Sequence, residues 1–327
     1  MGSLLFRLAM FLLRLTAFGT ILWCSGAFWY DFPWSPARVP LAILYGLGMA
    51  VVLLAWARGV LIVLAGFALV LLAWLQIRPT NDLPWQPDVA RTASAEIAGD
   101  RITLHNVRHC DYRSEFDYTT HWNTRTVRLG QITGMDLAMT YWGSEMIAHT
   151  IISFLVEGEP PITISIEARK QAGQAYSSIA GFYRQYGLIY IVSDERDLLR
   201  LRTNYRTGET VYLYHLKVKP EAAQEIFLDY LRSINSLHTR PEFYNAVTSN
   251  CTTNIRTHTR VTMRKKPAWD WRILLNGYLD DLLYEHHALA EEGSFEEIKR
   301  RVEINEAAKR IGDAPDFSRQ IRKAIGR

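Results

Sequence analysis

The residues best suited to covalent chemistry lie in Tyr244–Arg256, which reads YNAVTSNCTTNIR. Cys251 follows Ser249 and Asn250, two good helix N-cap residues, so the pattern predicts a helix whose first turn carries the thiol. Free N–H groups and a partial positive charge at a helix start favour thiolate over thiol. The same N–H groups can hold the oxyanion formed when a carbonyl is attacked, with Asn250 and Thr252 placed to help. One stretch thus supplies a nucleophile, its activation and half of an oxyanion hole. The structural alternative is a small buried cysteine at a helix start.

A base for Cys251 must come from nine histidines: His105, His109, His121, His149, His215, His238, His258, His286 and His287. His149 is the strongest candidate. It interrupts the apolar run IAHTIISFLV, where a strand would hold the ring rigidly and a polar group needs a partner. Glu167 ends the next strand-like run, and its carboxylate can orient the imidazole as a third member; Asn250, Asn254 and Ser165 compete for that place. The alternative for His149 is a core histidine bonded to a backbone carbonyl. His258 is two helical turns from Cys251, roughly 10 Å at 1.5 Å per residue, too far to serve. His105, His109 and Cys110 match no common zinc spacing, so no metal is expected. His286 and His287 read as a solvated helix end.

The elements that must position these groups are legible as runs. After a largely polar linker at Asn81–Gly99, Arg101–Val107, Thr124–Leu129, Asp136–Trp142, Ile147–Val156, Ile162–Ile166, Leu188–Val192 and Thr210–Val218 read as strands, with a hairpin turn at Glu157–Pro160. Asp197–Arg202 is ambiguous. Pro220 opens a helix marked by Ala223, Ile226, Phe227, Tyr230, Leu231, Ile234 and Leu237. Further helices are expected over Arg272–His287, from Ser294 through Arg310 with a capping box, and over Asp316–Ile325.

The first 78 residues have another character. They hold Arg7, Arg14, Arg38, Arg58 and Arg78 against Asp31 alone, so the chain's net charge of +4 resides there and the remainder is neutral. Nothing in that balance points to nucleic acid. Leu8–Tyr30, Pro40–Trp56 and Gly59–Ile77 are apolar enough for three membrane spans, with a hairpin at Ala57-Arg58-Gly59. The slight arginine bias favours a cytoplasmic N-terminus, and three spans then put residues 81–327 outside the cytoplasm. The expected division is a transmembrane region over 1–80 and an extracytoplasmic domain over 81–327. In an oxidising compartment Cys110 and Cys251 can form a disulfide, which is the rival to a catalytic Cys251.

A histidine on a strand, a polar residue on the next strand and a cysteine last at a helix start is an order that resembles circularly permuted papain-like thiol enzymes. More specifically, YWGSEMIAHTIISF, SIEARK, LIYIVSDERDLLRLRTNYR, VYLYHLKV and FYNAVTSNCTTNIR resemble the Lnb N-terminal periplasmic domain family of bacterial envelope proteins, over roughly residues 100–280. The expected fold is a membrane-anchored α+β protein: three transmembrane helices, then a permuted papain-like domain of antiparallel sheet plus helices. The resemblance implies an extracytoplasmic domain with Cys251 as nucleophile and His149 as base; the three apolar spans lie outside it, and together they lead us to expect a multi-pass protein of the bacterial inner membrane with a periplasmic domain. The family's namesake is associated with N-acylation of bacterial lipoproteins. The expected activity is therefore thiol acyl transfer or hydrolysis through a thioester, on a membrane lipid or lipoprotein and without a cofactor. Among Arg169, Lys170, Arg200, Arg202 and Arg206, which can engage phosphate head groups, Arg169 and Arg202 are the expected substrate-binding residues; the alternative is a solvated basic surface. The alternatives are an envelope cysteine peptidase or amidase, and a non-catalytic module with a structural Cys251.

Overall fold

The computed structural model describes residues 2–56, 58–259 and 270–327, so Ala57 of the expected hairpin lies outside the described residues. The chain divides into two compact units, Met1–Thr80 with Ala175–Gly187, and Asn81–Gln174 with Leu188–Arg327.

The first unit contains helices α1 (Gly2–Asp31), α2 (Ser35–Ala55) and α3 (Gly59–Trp74). Two of them are long and apolar enough to cross a membrane; α3 is shorter, at 16 residues. Ala17, Ile21, Leu53, Val60 and Val63 form their seam, while Leu44, Leu54 and Leu69 point outward. The outer face is thus as apolar as the seam, unlike that of a water-soluble bundle, where the outward face is polar. The second helix begins before Pro40 and carries that proline in its interior.

The second unit opens with a three-stranded antiparallel sheet of β1 (Ser94–Ala98), β2 (Arg101–Tyr112) and β3 (Tyr118–Arg128). The supposed linker is therefore partly a strand. The backbone of Ala95 is held by Asn235, which receives its N–H and donates to its carbonyl, so the edge of β1 is satisfied by a side chain that no local pattern announces. The central sheet is antiparallel, in the order β7 (Gly187–Ser193), β6 (Ile162–Arg169), β5 (Ser144–Val156), β4 (Ile132–Trp142), β8 (Glu209–His215). Asp197–Arg202 resolves as helix α4 (Glu195–Arg200), which Asp194 caps by accepting from the Asp197 N–H, followed by a wider π turn over Leu201–Tyr205.

Both faces of the central sheet are covered. Helix α5 (Pro220–Thr239) buries the stripe named above on one face, with Phe227 against Phe154 of β5. On the other face Ala138, Ile151, Val211 and Leu213 pack with Leu198 and Leu199 of α4 and with residues near the C-terminus. Helix α6 (Cys251–Thr259) begins at the thiol and contacts β5 and β6.

Two expected helices are broken. Arg272–His287 contains short 3-10 turns at Trp271–Ile273 and Asn276–Tyr278 before α7 (Leu279–Glu285). A Cβ on Gly277 would lie 2.0 Å from the Glu145 carbonyl oxygen, so glycine lets this segment press against the start of β5. The run from Ser294 splits into α8 (Phe295–Arg301) and α9 (Asn305–Ile311), and α10 (Phe317–Ala324) follows. The break occurs because residues 302–304 pair with edge strand β8: Leu213 N–H donates to Val302 and Ile304 N–H donates to Val211. Satisfying an exposed sheet edge outweighs helix continuation there.

Candidate functional site

Asn250 is the cap of α6: its Oδ1 accepts the Thr253 N–H at 3.0 Å, and its Nδ2 donates to the Ala246 carbonyl at 2.7 Å. The Asn254 N–H bonds the Asn250 carbonyl, leaving the first-turn N–H groups of Cys251 and Thr252 without an intrahelical acceptor, as helix geometry requires. Asn250 thus acts through the helix end, its own amide being engaged in the cap.

His149 and Glu167 meet through strand register. The β5–β6 ladder runs from Phe154 opposite Ile162 to Ile151 opposite Ser165, and extending it by one alternate position puts Glu167 opposite His149. Side chains two apart on a strand share a face, so Ser165 and Glu167 both look toward the imidazole. His149 Nε2 is 2.7 Å from Ser165 Oγ and 3.0 Å from Glu167 Oε1, and Ser165 Oγ donates to Glu167 Oε1 at 2.7 Å. Because the serine proton goes to the carboxylate, the network assigns the Nε2 proton to His149. That leaves Nδ1 as the ring nitrogen available to the Cys251 sulfur, whose thiol the imidazole lowers.

The electrostatics follow from this line of groups. Burial alone would push the Cys251 thiol up, but the His149 imidazole and the N–H and hydroxyl of Thr150 bring it down to about 6. The Thr150 hydroxyl is buried and, among the described residues, has no other hydrogen-bond partner. Burial alone would lower His149, yet the Glu167 carboxylate and the adjacent sulfur raise it to about 9. Burial opposes ionisation of Glu167 too, but His149, Arg202 and Ser165 hold its carboxyl well below the usual range. The two shifts favour a thiolate–imidazolium pair: the imidazole draws the thiol down while the carboxylate holds the imidazole up.

The remaining expected site residues separate. Arg202 is buried: one guanidinium nitrogen donates to Glu167 Oε1 at 3.1 Å and another to Glu209 Oε2 at 3.2 Å. It fixes the carboxylate and is inaccessible to a head group, a correction to its expected role. Arg169 is also corrected. Its guanidinium donates to the carbonyls of Val89 and Ala90 and to Asn81, and lies over Trp85, tying down the chain that precedes β1. Thr252 is buried, with Oγ1 3.8 Å from Cys251 Sγ.

Asn276 joins these pieces and is absent from the sequence-based set. Its Oδ1 accepts the Ala148 N–H at 3.0 Å, while Nδ2 donates to the Ala148 carbonyl and to Thr252 Oγ1, each at 2.6 Å. It lies 3.9 Å from Cys251 Sγ. One amide therefore clamps the neighbour of His149 to the neighbour of Cys251. The signal was the Asn276-Gly277 pair inside a helical pattern, a breaker combination.

The disulfide rival does not form: Cys110 and Cys251 are both free thiols. His258, on the same helix as Cys251, is held between Asp229 at 2.7 Å and Tyr190 at 2.8 Å. His105 pairs with Glu96, while His109 and His121 share Asp111.

Residues 118–277 match the family model described as the Lnb N-terminal periplasmic domain. No curated protein and no solved structure matches the chain.

Proposed function

Since residues 118–277 belong to the Lnb N-terminal periplasmic domain family, we propose that this chain is a membrane-tethered thiol acyltransferase or hydrolase acting on a lipid or lipoprotein. The observation that carries the reading is geometric: Cys251 starts α6, and His149, whose Nε2 lies 2.7 Å from Ser165 and 3.0 Å from Glu167, lowers the Cys251 thiol to about 6. A structural cysteine needs no such activation, whereas a nucleophile does. The proposed site follows the permuted papain-like order: thiolate, imidazolium, then a carboxylate with Ser165 to orient the ring.

In the proposed reaction the Cys251 thiolate adds to an ester or amide carbonyl, and the first-turn N–H groups of α6 face the oxyanion. The intermediate collapses with His149 giving its Nδ1 proton to the departing alcohol or amine, which leaves a thioester on Cys251. Neutral His149 then takes a proton from an incoming amine or water as it attacks, and the thiolate returns. An amine acceptor gives acyl transfer, with lipoprotein N-acylation as the specific case; water gives hydrolysis.

The membrane part of the proposal rests on the N-terminal unit. α1 and α2 meet the length and composition of spans, and the chain after α3 keeps turning, with Gln76 and Ile77 N–H groups bonded to Ala73 and Trp74. Nineteen residues from Gly59 to Ile77 cover about 28 Å at 1.5 Å each, close to a hydrocarbon core of about 30 Å. Three spans with a cytoplasmic N-terminus leave the thiol domain in the periplasm of an inner-membrane protein. The test is mass analysis of lipoproteins from a strain lacking this protein, complemented by wild type or by Cys251→Ser. Wild type is expected to restore the acylated mass and Cys251→Ser to leave it unrestored, with an acyl adduct on Cys251 in the wild type only. Full restoration by Cys251→Ser overturns the reading.

A further inference from the structure

Residues 175–187 connect β6 to β7, yet they belong to the compact unit of the three apolar helices. Their attachment is specific. Tyr183 stacks on Tyr30, ring centroids 5.0 Å apart, and its hydroxyl donates to the Trp23 carbonyl at 3.4 Å. A Cβ on Gly26 would fall 1.8 Å from that hydroxyl, so a notch in α1 admits the ring. Arg184 lies over Trp74, 4.1 Å from the ring centroid, and donates to the Ile77 carbonyl. Gln185 Nε2 donates to Asp31 Oδ1 at 2.6 Å, and the Trp74 indole donates to Asp31 Oδ2 at 2.6 Å. Asp31, the sole acidic residue among the first 78, is thus taken up by the end of this segment.

The other half of the segment is apolar and outward. Ile179 is 63% exposed and caps a 3-10 turn at Ala180–Phe182, whose last residue Phe182 is 44% exposed, and Tyr176 is exposed as well. A contiguous outward apolar group of this kind marks an interaction surface. It belongs to the same unit as the outward Leu69, Leu72 and Leu75 of the third helix and its extension, and as Trp29 and Trp34. The level follows from the notch: Trp23 and Gly26 lie five to eight residues before Asp31, roughly 7–12 Å along α1 at 1.5 Å per residue. Interfacial segments bury their apolar face about 5–10 Å into the headgroup and acyl boundary, with aromatic residues at that depth and charged or polar groups above. Tyr183 below and Arg184, Gln185 and Asp31 above reproduce that ordering.

We infer that residues 175–187 form an interfacial membrane-inserting loop whose Ile179 and Phe182 side chains enter the lipid at the end of the helix bundle. This rests on the reading of α1 to α3 as membrane spans. The partner is the bilayer; a protein or a second copy of this chain is the competing occupant. The test uses the full chain in native membranes, with p-benzoylphenylalanine in place of Ile179 or Phe182. The same photoprobe in place of outward Leu69 on α3 reports the spans, and in place of exposed Arg319 on α10 reports an aqueous surface. Lipid adducts at 179 and 182 in yields comparable with position 69, and absent at 319, are the expected result. Adducts at 69 without adducts at 179 and 182 overturn the loop and leave the spans standing. Protein cross-links in place of lipid adducts at 179, or equal lipid yield at 319, also overturn it. No lipid adduct at 69 removes the span reading and this inference with it.

Discussion

Cys110 and Cys251 are both buried, and burial pushes each thiol upward, yet they end on opposite sides of the ordinary value. Cys110 lies in β2, where burial and the Asp197 carboxylate raise it to about 11. Arg108 is next to it, but its guanidinium is already paired with Asp197 at 2.6 Å, and the same carboxylate accepts the Cys110 N–H at 3.0 Å. Cys251 has an imidazolium and the Thr150 N–H and hydroxyl instead of an anion, and falls to about 6. The difference lies in the sign of the charge facing the sulfur, because burial is common to both.

The sharpest way to break this contrast is His149→Ala. With its imidazolium gone, burial acts on Cys251 with little opposition and the thiol should return to 9 or above. At pH 7 the thiolate population then falls about a hundredfold or more. Titrating thiolate absorbance checks this, with Cys110→Ser as background so that one sulfur is read. A pKa still near 6 in the variant would mean that the helix end, and not the imidazole, sets the sulfur.

Glu167→Gln tests the next charge along. The carboxylate is what raises His149 against burial, so its removal lets the imidazole pKa drop from about 9 toward or below the ordinary 6.5. The raised value keeps the ring protonated up to about 9. The ion pair therefore spans about pH 6 to 9 in wild type, and its alkaline limb should move down by two units or so in the variant. Thiol alkylation or turnover measured across pH shows the shift; an alkaline limb unmoved near 9 would assign the imidazole's charge to another group.

The smallest effects belong to Asn276. Asn276→Ala leaves the Ala148 N–H and carbonyl without this partner, which costs about 1–3 kcal/mol of stability by denaturant titration. It should also raise the Cys251 pKa by less than His149→Ala does. Asn276→Asp keeps the acceptor for Ala148 N–H, loses both donors and adds an anion near the sulfur, so the thiol should rise further than in the alanine variant. Equal pKa values in wild type and both variants would reduce Asn276 to a packing role.

What the sequence made legible was local or periodic. The cap at Asn250 and the start of α6 follow from side chains that bond their own backbone three residues on. His149 stands out because strands that are apolar on both faces rarely carry a polar ring, and α5 is written in its 3.6-residue stripe. What stayed hidden depends on pairings distant in sequence. Arg169 and Arg202 look alike in composition, yet one closes onto residues 81–90 and the other onto Glu167 and Glu209. The break between α8 and α9 comes from an edge strand more than 80 residues earlier. Asn276 was marked only by the glycine beside it, since its partners Ala148 and Thr252 become its neighbours in the folded domain alone.

One feature of the central sheet bears on the order in which the protein is made. Asp136, fully buried in β4, accepts from Arg322 at 2.7 Å and from Arg327 at 2.8 Å, and is bonded to His215. These guanidinium groups are 186 and 191 residues downstream of the carboxylate. A buried carboxylate stripped of its cations costs several kcal/mol, a large part of the stability of an ordinary domain. A growing chain that has already delivered Cys251, His149 and Glu167 still lacks the counter-ions that let β4 settle in the middle of the sheet. The settled central sheet therefore depends on α10, and the strands that carry His149 and Glu167 are expected to be fully braced only once that last helix has packed.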